Sequence, residues 1–180
     1  MRSLIVAIAM ALPVLASGQQ PVPTPVPKLA APAPRYTDAW SVRQLDGTVT
    51  PLSMFRGRVI FLHFWATWCV NCRPELESIQ RLRALVKTAD TADAPAFVLI
   101  SPEAGAIVRR YLGPRAASSS VYLEADRIPR DLQVSALPTT FIIARDGTIA
   151  YHTRGAAQWD APRVLDLLQS LQAQSKHAPE

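Results

Sequence analysis

Cysteine is nearly absent: the 180 residues contain two, Cys69 and Cys72. That scarcity excludes a disulfide framework, and with no second Cys or His pair to complete about four ligands it excludes a structural zinc site. A structural staple is a weak reading too, because so short a loop constrains the unfolded chain little. A redox-active dithiol is what remains. Charge is also sparse, at 18% of residues, and the formal net charge of +5 is not gathered into a dense block. Arg81-x-Arg83 and Arg109-Arg110 fall on expected helix surfaces without the motifs of a nucleic-acid binder, so they read as solvated faces, and nucleic acid is not an expected partner. No internal repeat is visible. Apolar residues make up 49% of the chain, enough for one domain with a sizeable core.

A long apolar run is missing as well. Leu4–Leu15 is short for a membrane-spanning helix but of the length found in secretory signals. Arg2 precedes it and the small residues Ala16, Ser17 and Gly18 follow. Residues 1–18 are therefore expected to be a signal peptide cut after Ala16 or Gly18, with an uncleaved anchor as the alternative and the only route to the membrane. No cysteine here is available for lipid attachment. Export places the dithiol in the periplasm or another extracytoplasmic, oxidising compartment. Residues 19–36 hold prolines at 21, 23, 25, 27, 32 and 34. This linker favours polyproline II geometry and, at ~3.1 Å per residue, reaches roughly 40–50 Å when extended. The folded domain is expected over 37–174, with 175–180 as a tail.

What the chain does have is one organising stretch, Val59–Glu75. It begins with seven residues that are apolar except for His63 and rich in β-branched and aromatic types, which predicts a strand buried on both faces. It passes through Ala66-Thr67-Trp68 to Cys69-Val70-Asn71-Cys72. Leu76, Ile79, Leu82 and Val86 then recur at helical spacing. The spacing puts Cys69 at or just before the first turn of a helix and Cys72 about one turn in. Unpaired N–H groups and the dipole at a helix N-terminus favour thiolate, so Cys69 is the expected nucleophile and Cys72 the resolving thiol.

Elsewhere, Trp40–Leu45 and Thr48–Leu52 flank the turn signal Asp46-Gly47, and Thr139–Ala144 and Thr148–His152 flank Asp146-Gly147, predicting two hairpins. Ser53–Arg56 predicts a helical turn stopped by Gly57. Ala96–Ile100 reads as a second buried strand, Ala104–Leu112 as a helix ended by Gly113-Pro114, Val121–Leu123 as a short strand and Arg130–Val134 as a helical turn. The first helix should fade over Lys87–Asp93. Asp160 is expected to cap a last helix with Pro162 in its first turn and Leu165, Leu168 and Leu171 on its apolar face. Alternating strands and helices with a closing hairpin and helix argue an α/β sandwich on a mixed sheet.

Phe64-Trp65-Ala66-Thr67-Trp68-Cys69-x-x-Cys72-Arg73-x-Glu75, together with Leu137-Pro138-Thr139-Thr140-Phe141-Ile142, resembles the thioredoxin superfamily. Asp46-Gly47 and Leu52-Ser53-x-Phe55-Arg56-Gly57 narrow the resemblance to its exported TlpA/ResA-like branch, over roughly Thr37 to Gln174. The resemblance implies a three-layer α/β/α sandwich with a βαβ-type insertion within Phe97–Val134. It implies a cis Leu137–Pro138 bond, with Pro138 against the cysteines and the Leu137 backbone offered to an extended client segment. It implies that Trp68 packs beside the pair and that Glu75 tunes thiol acidity, although acidic residues are favoured in a first helical turn regardless. Three departures stand out: Asn71 replaces a common proline, Glu77 stands where relatives carry a kink proline, and His63 stands where they carry Asp or Asn. His63 is either a hydrogen-bonded core imidazole or a neutral base for the Cys72 proton. Arg73 reads as a solvated helix-face charge.

The function implied is that of an exported thiol–disulfide oxidoreductase, monomeric and without cofactor or metal. It would draw electrons from a membrane thiol carrier to reduce client proteins such as apocytochrome c or copper-site cysteines. A general oxidant or isomerase is an alternative. A copper-binding assembly protein using Cys69, Cys72 and His152 is another, since soft thiolates select copper(I). A peroxidase reading lacks its Pro-x-x-x-Thr-x-x-Cys arrangement, because position 62 is Leu. Since Gln19–Arg35 has little apolar surface to bury, a chain beginning at Arg35 should keep the thermal midpoint and dithiol activity of the longer form. A clear drop in midpoint in the truncated chain would show that the segment packs on the domain.

Overall fold

A computed structural model of the protein describes residues 40–86, 93–118, 120–129, 132 and 134–174. The signal, linker and tail expectations, the helix fade over 87–92 and most of the turn expected at 130–134 lie outside these residues. Seven strands form one mixed sheet: β1 (Ser41–Gln44), β2 (Val49–Pro51), β3 (Ile60–Phe64), β4 (Ala96–Ser101), β5 (Val121–Glu124), β6 (Thr139–Ile143) and β7 (Ile149–Arg154). Their order is β2-β1-β5-β4-β3-β6-β7. The helices are α1 (Cys72–Leu85), α2 (Gly105–Leu112) and α3 (Pro162–Ala173), with short 3-10 turns at Leu52–Phe55 and Gly113–Ser118. Among the described residues no helix is long and apolar enough to cross a membrane.

β3 is the middle of this arrangement. It pairs parallel with β4 and antiparallel with β6, and all five of its residues are buried. Side chains alternate across a strand. Ile60, Leu62 and Phe64 therefore enter one cluster with Trp40, Leu52, Val98, Leu132 and Phe141, covered by the 3-10 turn at 52–55 and the segment around Leu132. Phe61 and Trp65 enter the other, with Ile79 and Leu82 of α1, Val108 and Leu112 of α2, and Leu168 and Leu171 of α3. The sheet is thus covered on both faces. The insertion is β4–α2–β5, whose strands pair in parallel as a βαβ crossover requires.

Both Asp-Gly turns form as predicted, with positive φ at Gly47 (100°) and Gly147 (84°) and with Asp46 and Asp146 carboxylates accepting the Thr48 and Thr148 N–H groups. Other expectations need correction. Cys72 is the first residue of α1, not one turn in. Pro74 has no N–H to give to the Val70 carbonyl, so the first α-helical hydrogen bond is the one from Glu75 to Asn71. Asp160 does not cap α3. The N-cap is Ala161, with no side-chain cap, and Asp160 instead accepts from Arg81 Nε at 2.6 Å. Val164 joins Leu168 and Leu171 among the buried residues of α3, and Leu165 packs half-buried against the same cluster. Arg81, Arg109 and Arg110 lie on exposed faces as expected, Arg109 also donating to the Leu45 carbonyl, whereas Arg83 is half-buried and donates to Ser120 Oγ.

Leu82 is fully buried on the α1 face that meets the sheet. Leu82→Ala should cost about 2–5 kcal/mol, read as a lowered urea midpoint with an unchanged slope.

Candidate redox site

β3 delivers the chain to the end of the sheet, and α1 carries it away. Between them, Trp65 N–H donates to the Ile100 carbonyl (3.0 Å), Cys69 N–H to Ala66 (3.2 Å) and Cys72 N–H to Cys69 (3.1 Å). Cys69 and Cys72 are joined as a disulfide with Cα atoms 5.3 Å apart. Their environments differ. Cys69 retains 8% exposure while Cys72 has none, and the neighbours Trp68 and Val70 are 66% and 85% exposed. Trp68, the neighbour of Cys69 in the chain, is exposed at the rim, and Trp65 is buried in the apolar cluster that also contains both cysteines. Arg73 is exposed on the helix face, with its guanidinium 5.9 Å over the Tyr111 ring of α2.

Glu75 lies three residues after Cys72, on the same face of α1, and is fully buried. Its Oε1 accepts from Ala157 N–H and from Trp159 Nε1, both at 2.9 Å. Burial outweighs these bonds and pushes its carboxyl up to about 7. His63 points to the same side of the sheet. Its Nδ1 is 2.8 Å from Thr140 Oγ1, and its Nε2 is 4.0 Å from Glu75 Oε2. Among the described residues neither Nε2 nor Oε2 has a hydrogen-bond partner. Burial depresses the His63 imidazole to about 3, so the ring is neutral at pH 7.

The Leu137–Pro138 bond is cis. Pro138 directly precedes Thr139, which pairs with Phe64 at the cysteine end of the sheet. The Pro138 carbonyl accepts from Gly155 N–H at 2.9 Å, whereas the Leu137 backbone makes no hydrogen bond among the described residues. Leu137 packs against the cluster that contains both cysteines. His152 is not brought to the sulfurs. It stands opposite Phe141, two pairs in from the Thr139–Arg154 end, and stacks on that ring with centroids 4.4 Å apart. Among the described residues no three His, Cys, Asp or Glu side chains are grouped to hold a metal ion.

Sequence reasoning missed Trp159 and Glu103, and it quoted Thr140 only as part of the Pro138 segment without its bond to His63. Each comes from a distant segment, and no local spacing points to it. Glu103 accepts from both the N–H and the hydroxyl of Thr67.

Comparison with known proteins agrees with this geometry. A family model described as Redoxin matches residues 28–168. The thioredoxin-like protein YneN of Bacillus subtilis (strain 168) is 29% identical over 130 residues, covering 71% of this chain and 75% of that protein. The thiol-disulfide oxidoreductase ResA of the same organism is 30% identical over 105 residues, covering 58% of this chain and 57% of its relative. A crystal structure of a thiol:disulfide interchange protein of the thioredoxin family from Chlorobium tepidum TLS superposes with TM-score 0.59 at 21% identity. The match covers 81% of this chain and 96% of that one, a likeness of fold alone.

The two buried groups give opposite pH dependences. Glu75, raised from 4.5 to about 7, contributes stability that is full below pH 4.5 and is lost as pH rises through 7. His63, lowered from 6.5 to about 3, contributes stability present above pH 6.5 and lost as pH falls toward 3. The two oppose each other between about pH 4.5 and 6.5. Relative to wild type, Glu75→Gln should make stability rise more steeply with pH in that window, and His63→Asn should make it fall. Urea midpoints measured across the window check both signs, and parallel curves for all three proteins would count against the assignment.

Proposed function

The chain belongs to the Redoxin family and is a thiol–disulfide oxidoreductase, and from that premise we propose that it is an exported reductant of disulfides in client proteins. The observation that carries the division of labour is the unequal burial of the two cysteines. Cys69 keeps a little exposure between exposed Trp68 and Val70, whereas Cys72 is fully buried one helical turn before buried Glu75, which lies 4.0 Å from His63. Cys69 thiolate attacks a client disulfide and forms a mixed disulfide. Cys72 then displaces the client thiolate, closing the Cys69–Cys72 bond and passing two electrons to the client. The Cys72 proton has no solvent to receive it, so a neutral imidazole or a carboxylate with a pKa near 7 is the acceptor within the fold. Buried Glu75, one helical turn after Cys72, opposes a second negative charge near that cysteine, which supports a reductant over an oxidant.

The client enters as an extended segment beside Pro138, pairing with the unbonded Leu137 backbone. Apocytochrome c before haem attachment and the cysteines of copper sites are the client classes, and a membrane thiol carrier regenerates the dithiol. The protein works as a monomer in the periplasm, delivered by residues 1–18 and spaced by 19–36, with the domain ending near 174. The position of His152 on β7 argues against the copper-binding reading.

A Cys72→Ser variant expressed in its native compartment should accumulate mixed disulfides on Cys69, resolved by non-reducing electrophoresis and identified by mass spectrometry. Failure to accumulate any adduct while the wild-type protein still turns over a client would sink the role assignment.

A further inference from the structure

The turn that presents Cys69 has few anchors. From Trp65 to Cys72 the backbone bonds connect either to β4 at Trp65 or within the turn itself. The exception is Thr67, two residues before Cys69. Its N–H donates to Glu103 Oε2 at 2.6 Å, and its hydroxyl donates to Glu103 Oε1 at 2.7 Å. Glu103 comes from the loop between β4 and α2 and is braced by Ser101, whose hydroxyl donates to Oε2 (3.2 Å) and accepts from the Glu103 N–H (3.3 Å). One carboxylate thus grips both donors of a single residue, the geometry expected of charge-assisted hydrogen bonds.

We propose that Glu103 is a positioning residue for the redox reaction, latching the Cys69 turn through Thr67 and holding a negative charge against the backbone two residues before that thiol. The latch matters most in the reduced state. Once the disulfide opens, the covalent tie between Cys69 and Cys72 is gone, and the Thr67–Glu103 contact still holds the nucleophile's approach. The charge opposes the α1 N-terminus, which favours thiolate. Charged or titratable groups on the adjoining elements include Arg73 of α1, stacked on Tyr111 of α2, the buried pair His63 of β3 and Glu75 of α1, and Arg154 of β7. Asp160, ahead of α3, is neutralised by Arg81. Glu103 therefore tilts the balance toward thiol and toward a more reducing couple. This deepens the proposed function and rests on Cys69–Cys72 being the redox centre.

The test equilibrates the full chain with glutathione buffers. Two glutathione thiols become one glutathione disulfide while the protein disulfide gains two electrons and two protons. Glu103→Gln removes the charge but keeps the latch, because its oxygen can accept from the Thr67 N–H while its amide donates to the Thr67 hydroxyl. Its equilibrium should shift about tenfold toward the dithiol, equivalent to ~30 mV, with limiting-dose iodoacetamide alkylation of Cys69 faster in proportion. Glu103→Asp keeps the charge but falls one methylene short of Thr67. It should hold the equilibrium within about twofold of wild type while client reduction slows several-fold. The inference is overturned if the Gln variant equilibrates within about twofold of wild type, or if the Asp variant shifts as far as Gln or reduces client at the wild-type rate. Should Gln fail to fold, the Asp variant alone decides. A wild-type chain that never equilibrates with glutathione would instead remove the reading of the cysteine pair itself.

Discussion

The structure depends on β3 being enclosed from every direction. A strand with all five residues buried must find backbone partners on both edges and apolar cover on both faces. β4 and β6 supply the edges. The three helices supply one face, and the 52–55 turn with the segment around Leu132 supplies the other. Everything functional follows from where this strand stops. Its C-terminal end projects the chain past the sheet, so the next residues form a turn at the surface before α1 returns over the core. The sulfurs stand at that boundary, one at the rim and one beneath it.

Enclosure also accounts for the buried pair of His63 and Glu75. Alternation along β3 sends His63 to the helical face, where it meets Glu75 from α1 in a region without solvent. The desolvation cost falls on whichever of the two carries charge, and both pKa shifts oppose charging. The segment ahead of α3 relieves part of that cost by giving Glu75 two donors, Ala157 N–H and Trp159 Nε1, while Trp159 packs edge-on against Phe61 of β3. A polar site and an apolar core are here the same assembly, which makes the acid tunable by residues some eighty positions away. The Glu103 contact extends the logic to the rim, where a partly buried carboxylate holds the turn from the outside.

The sequence by itself determined the strand–turn–helix around the cysteines, because its signals are local: an unbroken apolar run, a change of period, two thiols at the change. The Asp-Gly hairpins were legible for the same reason, since positive φ at Gly47 and Gly147 is demanded by the turn alone. The helix start was misplaced by a single proline, whose effect on the hydrogen-bond ladder reaches back four residues to Val70. Capping by Asp160 was locally reasonable too, but Arg81, 79 positions away, bound its carboxylate instead. Only the tertiary structure decided which distant groups bind His63, Glu75 and Thr67. Thr140 reaches His63 through strand register, Trp159 reaches Glu75 through the docking of the loop before α3, and Glu103 reaches Thr67 through the adjacency of β3 and β4. Those contacts join segments 36 to 84 residues apart. Nothing in a local window encodes them, because they arise from how the sheet closes around its central strand.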